Sequence, residues 1–172
     1  MTRRSLNLIL VAIFALITAL AGRAVWQFER TLREGDVVLL QLAPVDPRSL
    51  MQGDYMALRF ALDDDIVAPG EWHKAPPRYV YVSRDQEQRG SFVGTGDSAT
   101  PPPDALMLRV RRHNGRASVG PSAFFFQEGT AAAHEAARWG EFRVMRDGTS
   151  LLTHLRDANL ERIGSNATGM TH

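Results

Sequence analysis

The longest apolar run stands at the start of the chain. Residues 6–22 carry no charge and are rich in Leu, Ile, Ala and Val, with Arg3 and Arg4 before them and Arg23 after. Such a run is at the short edge of what a helix needs to cross the hydrocarbon core of a bilayer. Arg23 can snorkel along the helix, and Ala24, Val25, Trp26 and Phe28 extend the apolar stretch toward an interfacial aromatic anchor. The pattern predicts one membrane-spanning helix. A cleaved leader is the competing reading, because Ala19-Leu20-Ala21 offers a small-x-small site in a suitable position. Against cleavage, residues 24–33 continue as helix formers with no break. The cationic pair before the span predicts a cytoplasmic N-terminus and a remainder on the other side. The expected organisation is an anchor over residues 1–28, an extracytoplasmic β-rich domain over 29–163 and a frayed polar tail over 164–172.

Beyond the anchor the hydrophobic period shortens to that of strands. Residues 36–42 form a nearly continuous apolar run that stops at Pro44, as expected of a central strand. Asp46, Pro47 and Gly53 then stand in the order of a single helical turn, with Asp capping, Pro in the first position and Gly past the end. From Asp54 the period is two: Met56, Leu58, Phe60 and Leu62 share one face, and Tyr55, Ala57, Arg59 and Ala61 the other. Asp63-Asp64-Asp65 ends this strand and reads as a solvated loop; calcium needs further oxygen ligands that are not in sight. Residues 78–83 alternate as a strand, 90–95 form a weaker one, and the stretch 94–104, with Pro101-Pro102-Pro103, reads as a stiff loop. Asn114-Gly115 and Asp147-Gly148 each predict a hairpin between flanking alternating segments. Between the hairpins, Thr130 can cap and Gly140 can end an Ala-rich helix of about ten residues packed on the sheet. The fold class expected is α+β: a transmembrane helix, then a mostly antiparallel β domain with one short helix.

Composition narrows the function classes. The absence of cysteine excludes disulfides, zinc-thiolate sites and a thiol nucleophile. The balance of 20 Lys+Arg against 19 Asp+Glu leaves no cationic excess for nucleic acid. The search for chemistry returns mismatches. His134-Glu135-Ala136-Ala137-Arg138 begins like a zincin helix, but Arg138 stands where the second ligand is required, so the segment reads as a helix surface. The other histidines show no ligand spacing, and no nucleophile elbow, P-loop or dinucleotide fingerprint occurs. These observations nominate no catalytic residue, metal ligand or cofactor.

One stretch carries a signature. Gly53-Asp54-Tyr55-Met56-Ala57-Leu58-Arg59-Phe60 resembles the G-D-Y-x-x-L-x-Y motif of the GDYXXLXY family of membrane-anchored bacterial proteins, with Phe60 in place of the final tyrosine. The preceding residues 40–48, the later Phe126-Gln127-Glu128-Gly129 and the final hairpin follow the same order, so the resemblance covers most of residues 1–160. It implies a single-pass protein of the bacterial cytoplasmic membrane with an extracytoplasmic domain, of a kind often encoded beside multi-pass membrane proteins. A multi-pass membrane protein is therefore the expected partner. The resemblance implies no known reaction, substrate or ligand.

If Leu58, Phe60 and Leu62 face the core, period two places Asp54 on the same side, where a carboxylate needs hydrogen bonds or a cation such as Arg48. Asp54 then clamps the turn that feeds the strand. The functional alternative makes Asp46, Arg48, Gly53, Asp54 and Tyr55 the lining of a binding site, and a further one divides acid and base roles between Asp46 and Asp54. Two function classes follow: a membrane-anchored interaction module, and a hydrolase or transferase using acidic residues around Asp54. Membrane-anchored signal peptidases also place Gly-Asp before a strand. Here, however, Ser49 lies only four residues before Gly53, and the sole lysine, Lys74, falls in an expected loop. That chemistry is rejected.

Overall fold

Helix α1, Arg3–Glu34, takes up the whole apolar run and continues well past Arg23. In this computed structural model, which describes residues 3–44, 55–67, 75–113, 116–127 and 130–164, the stretch Ile9–Glu34 contains an 18-residue window of mean hydropathy 2.1 and is long and apolar enough to cross a membrane. Its last turns carry the charges: Arg30 pairs with Glu34 at 2.8 Å and Arg33 with Glu29 at 3.0 Å, each one turn apart. The Arg30 guanidinium also lies 5.5 Å from the centre of the Trp26 ring. The chain divides into two units, Met1–Glu34 and Gly35–His172.

The second unit contains the short elements β1 (Asp36–Gln41), β2 (Tyr55–Ala57), α2 (Asp63–Ile66), β3 (Tyr79–Arg84), β4 (Gly90–Gly96) and β5 (Ala105–Arg109). After these come β6 (Arg111–His113), β7 (Arg116–Ser118), β8 (Ala123–Phe125), α3 (Ala131–His134), β9 (Trp139–Val144) and β10 (Ser150–Arg156). The strands form two three-stranded sheets, β1–β9–β10 and β4–β3–β5, and two ribbons, β2–β8 and β6–β7. All of these pairings are antiparallel. The two larger sheets touch where Leu39 bridges Arg89 and the Leu39 N–H donates to the Gln88 carbonyl at 2.7 Å. This is the expected α+β class, with an N-terminal apolar helix and mostly antiparallel sheet.

One apolar core gathers the inward faces. Val38 and Leu40 of β1, Phe142 and Val144 of β9, and Leu155 of β10 meet Val80 and Val82 of β3 and Leu108 of β5. Strand β3 is apolar on both sides, because Tyr79 and Tyr81 pack with Met107 in a second, smaller cluster. The alternation of the motif strand holds in burial: Met56, Leu58, Phe60 and Leu62 are all buried, while Arg59 points outward and pairs with Asp64. Regular pairing with β8 nevertheless stops at Ala57. Beyond it the Leu58 N–H donates to the Ser122 carbonyl at 2.8 Å. A bridge between Leu42 and Phe60 is closed by the Ala43 N–H on the Arg59 carbonyl at 2.8 Å and the Ala61 N–H on the Gln41 carbonyl at 2.9 Å.

Both hairpin expectations hold. Arg111 faces Ser118 and His113 faces Arg116, which leaves a two-residue connection, although residues 114–115 themselves lie outside the described residues. At the second turn Gly148 takes φ +83°, a left-handed conformation that favours glycine. Asp147 accepts bonds from the Thr149 N–H at 2.9 Å and hydroxyl at 3.0 Å.

Two expectations are corrected. The Ala-rich helix is a single turn, Ala131–His134, not ten residues. Trp139 and Gly140 belong instead to β9, where Gly140 pairs with both Leu40 and Leu155. A side chain at position 140 would come within 3.0 Å of both Leu152 and Phe60, so glycine there serves close packing and does not end a helix. Ladder bonds on both edges of β9 outweigh the helix propensity of the alanines that precede it. The Thr130 hydroxyl donates to the Gln127 carbonyl at 2.6 Å instead of capping. The second correction concerns Asp63. It is no solvated loop residue but begins α2 half-buried, accepting from the Val119 N–H at 3.1 Å, the Ser118 hydroxyl at 2.9 Å and the Phe60 N–H at 3.3 Å. Burial raises its pKa although all three donors oppose the rise.

Candidate functional site

The motif region is described from Tyr55 onward. Asp46, Arg48, Gly53 and Asp54 lie outside the described residues, as do Ser49 and Lys74, so of the expected binding residues only Tyr55 has a described place. Tyr55 opens β2 half-buried, directly opposite Phe125 in the β2–β8 register. The two rings are 5.7 Å apart and tilted by 43°, a spacing at which aromatic pairs attract. Phe125 is 75% exposed, the most exposed large apolar side chain among the described residues of this unit. At the motif's other end, Phe60 is fully buried with its ring edge-on to Phe142 at 5.1 Å. Apolar packing therefore fills the position where the motif has tyrosine.

A second constellation was not anticipated from the sequence. Register places Trp139, Glu141 and Arg143 on the face of β9 opposite to Phe142, with His154 directly across from Glu141 and Arg156 across from Trp139. Glu141 is fully buried. Its Oε2 accepts from Arg156 Nε at 2.7 Å and Arg162 Nε at 2.9 Å, and its Oε1 accepts from Arg162 Nη2 at 2.7 Å. Burial alone would disfavour the charge, but the bonds and charges of the two guanidinium groups outweigh it and hold the pKa at about 2.

Local structure explains how Arg162 gets there. The Asp157 carboxylate accepts the N–H groups of Asn159 and Glu161, both at 2.9 Å, and Leu160 takes a left-handed φ of +66°. The chain thereby turns back, and the Ile163 N–H reaches the Leu155 carbonyl at 2.8 Å. A bulge between Leu152 and His154 resets the strand so that Leu152 and Leu155 both face inward while His154 stays outside. From the sequence Trp139 falls at the end of the expected helix, so the shared face of Trp139, Glu141 and Arg143 emerges only from the pairing of β9. Arg162 is not legible as the partner of Glu141, because it lies 21 residues away and is brought back by the turn over residues 157–161.

His134, expected on a helix surface, is instead buried. Its ring stacks on Phe126 at 4.6 Å, and Nδ1 lies 2.8 Å from the Thr130 carbonyl, which fixes the proton on that nitrogen. The short α3 turn folds under the Phe124–Phe126 segment, and this removes the exposed face that a longer helix would have had. Among the described residues no three His, Asp or Glu side chains are placed to hold a metal ion.

These features define an antiparallel α+β domain that follows an apolar N-terminal helix. The family model described as GDYXXLXY protein matches residues 17–155, and the chain belongs to that family. No curated protein and no solved structure matches it. The family match contains Glu141, Arg143 and His154 but ends one residue before Arg156, so the two arginines that hold Glu141 lie beyond it.

Proposed function

We propose that this protein is a membrane-anchored interaction module whose domain lies outside the cytoplasm and engages a multi-pass membrane protein. The observation that carries this reading is α1, an apolar helix that passes through a single residue, Gly35, into the first core strand. The helix, read this way, ties the domain to the membrane, where a partner is met in two dimensions. In this reading residues 1–28 anchor the chain, 29–163 form the domain and 164–172 its tail. Arg3 and Arg4 stay on the cytoplasmic side. A reporter that is active only after export should therefore be active when fused at the C-terminus, and activity of a cytoplasm-dependent reporter there would reverse the orientation.

The partner surface in this reading begins at the motif. Tyr55 and Phe125 present an aromatic edge of the kind enriched in protein interfaces, and Asp46, Arg48, Gly53 and Asp54 are the further binding candidates of this reading. A photo-cross-linking residue at position 125 of the full chain, in its native membrane, should capture a multi-pass membrane protein. The same group at the exposed Asn159 should not. Equal yield from both positions, or capture of soluble proteins alone, would end this assignment.

A further inference from the structure

We propose that the outer face of the β1–β9–β10 sheet binds an oxyanion, a phosphate-like group held between Arg143 and His154 beside the Glu141 cluster. The first reason is charge. Arg156 and Arg162 already occupy both oxygens of Glu141, so its single negative charge is shared by two guanidinium groups. Arg143, two residues along the same face of β9, adds a third. Its described partner is neutral, the Gly35 carbonyl at 3.2 Å, and no carboxylate among the described residues pairs with it. The β1 residues paired with this face, Val37, the buried Leu39 and Gln41, bring no charge. At its far end Arg89, which lies over the Trp139 ring, is paired with Asp85 and Glu87. In the returning turn, Asp157 is engaged by backbone amides and Glu161 is exposed. Among the described residues, Arg143 is the guanidinium of this face that no carboxylate pairs with.

The second reason is His154. Its Nδ1 is shut off from solvent without a hydrogen-bond partner, 3.7 Å from Glu141 Oε1, while its side chain is 40% exposed. The exposed part of the ring therefore lies away from Nδ1. Pairing places His154 across from Glu141 and Leu151 across from Arg143, so Arg143 and His154 are diagonal neighbours on one face, about 7–8 Å apart at the backbone. An oxyanion between them would meet a guanidinium on one side and an imidazole on the other. Without it the imidazole is held neutral, pushed down by burial and by Arg162, with Arg156 and Arg143 adding and Glu141 only partly offsetting. A bound anion removes much of that repulsion and lets the ring take up a proton.

Two sources can supply such a group: a free phosphate, or the headgroup of an anionic lipid, and the same experiment separates them. The His154 imidazole is followed by NMR in the full chain, assigned through His154→Gln, first in zwitterionic micelles with inorganic phosphate. It is then followed in vesicles of phosphatidylcholine with and without phosphatidylglycerol. Binding should raise the pH at which His154 is half-protonated by about one. The shift should vanish in Arg143→Gln, which leaves both partners of Glu141 in place, with an unchanged melting temperature showing that the fold is intact. A shift with free phosphate identifies a soluble ligand, and a shift only with phosphatidylglycerol identifies the headgroup. No shift in any of these, or the same shift in Arg143→Gln, overturns the proposal.

Discussion

Glu141→Gln should destabilise the domain by about 3 kcal/mol, the loss expected when one partner of a buried ion cluster is removed. The amide keeps one acceptor oxygen but no charge, so Arg156 and Arg162 are left facing a neutral group in a site closed to water on the sheet side. Linkage gives a similar magnitude independently. The Glu141 pKa falls from 4.5 to about 2, and each unit corresponds to about 1.4 kcal/mol. Arg162 is 40% exposed, so its own removal should cost less than removal of the carboxylate. The sign of the pH dependence follows. A carboxyl whose folded pKa is depressed contributes its full stability above the unfolded value, and loses it as pH falls from about 4.5 toward about 2. Asp147, also depressed despite partial burial, because Thr149 and Arg109 favour its charge, acts in the same direction. Asp63, raised by burial, acts in the opposite one, since its ionised form is the costly one and acid relieves it. Chemical unfolding of the full chain in micelles should show wild-type stability falling steeply below pH 4.5 and a flatter curve for Glu141→Gln. Superimposable curves would mean that the cluster does not support the fold.

Phe60→Ala should cost about 3–5 kcal/mol, the range for emptying a fully buried aromatic site. The ring is shut off from solvent, lies edge-on to Phe142 and fills the space left by two glycines. A Cβ at Gly120 would lie 2.8 Å from both Phe60 Cζ and Phe142 Cζ, and one at Gly140 would lie 3.0 Å from Phe60 Cε1. The three positions are therefore coupled. Gly120→Ala alone should cost about 1–3 kcal/mol by overpacking. In the Phe60→Ala background it should cost less, because one of the two rings it strikes is gone and the cavity can take the methyl group. Strict additivity in a double-mutant cycle of unfolding free energies would contradict this packing. The same cycle tests whether the last position of the motif works through packing, as its burial here implies.

Several features could be read from local chemistry alone. A run of uncharged residues between arginines determines a long apolar helix, because both its length and its flanks are local properties. Asn-Gly and Asp-Gly mark turns because few other residues tolerate the backbone they need, and residues 36–42 read as a core strand because Val37, Val38, Leu39 and Leu40 form a continuous apolar run of β-formers. The motif that places the chain in its family, and the alternation that buries Met56, Leu58 and Phe60, were equally legible. The extent of the Ala-rich segment was not. Whether Trp139 and Gly140 extend a helix or join a sheet depends on Leu40 and Leu155, about a hundred residues upstream and fifteen downstream. The identity of the buried polar groups was not legible either. Asp63 reads as solvated because three aspartates in a row usually are, His134 reads as helix surface because Arg138 stands where a second ligand is required, and nothing in the local sequence singles out Glu141. Each is withdrawn from water, wholly or in part, because groups outside its own element come to meet it: Val119 and Ser118 for Asp63, Phe126 for His134, and Arg156 and Arg162 for Glu141. A carboxylate leaves water only when such donors replace its hydration, and which donors arrive is decided by chain topology, not by the residues on either side.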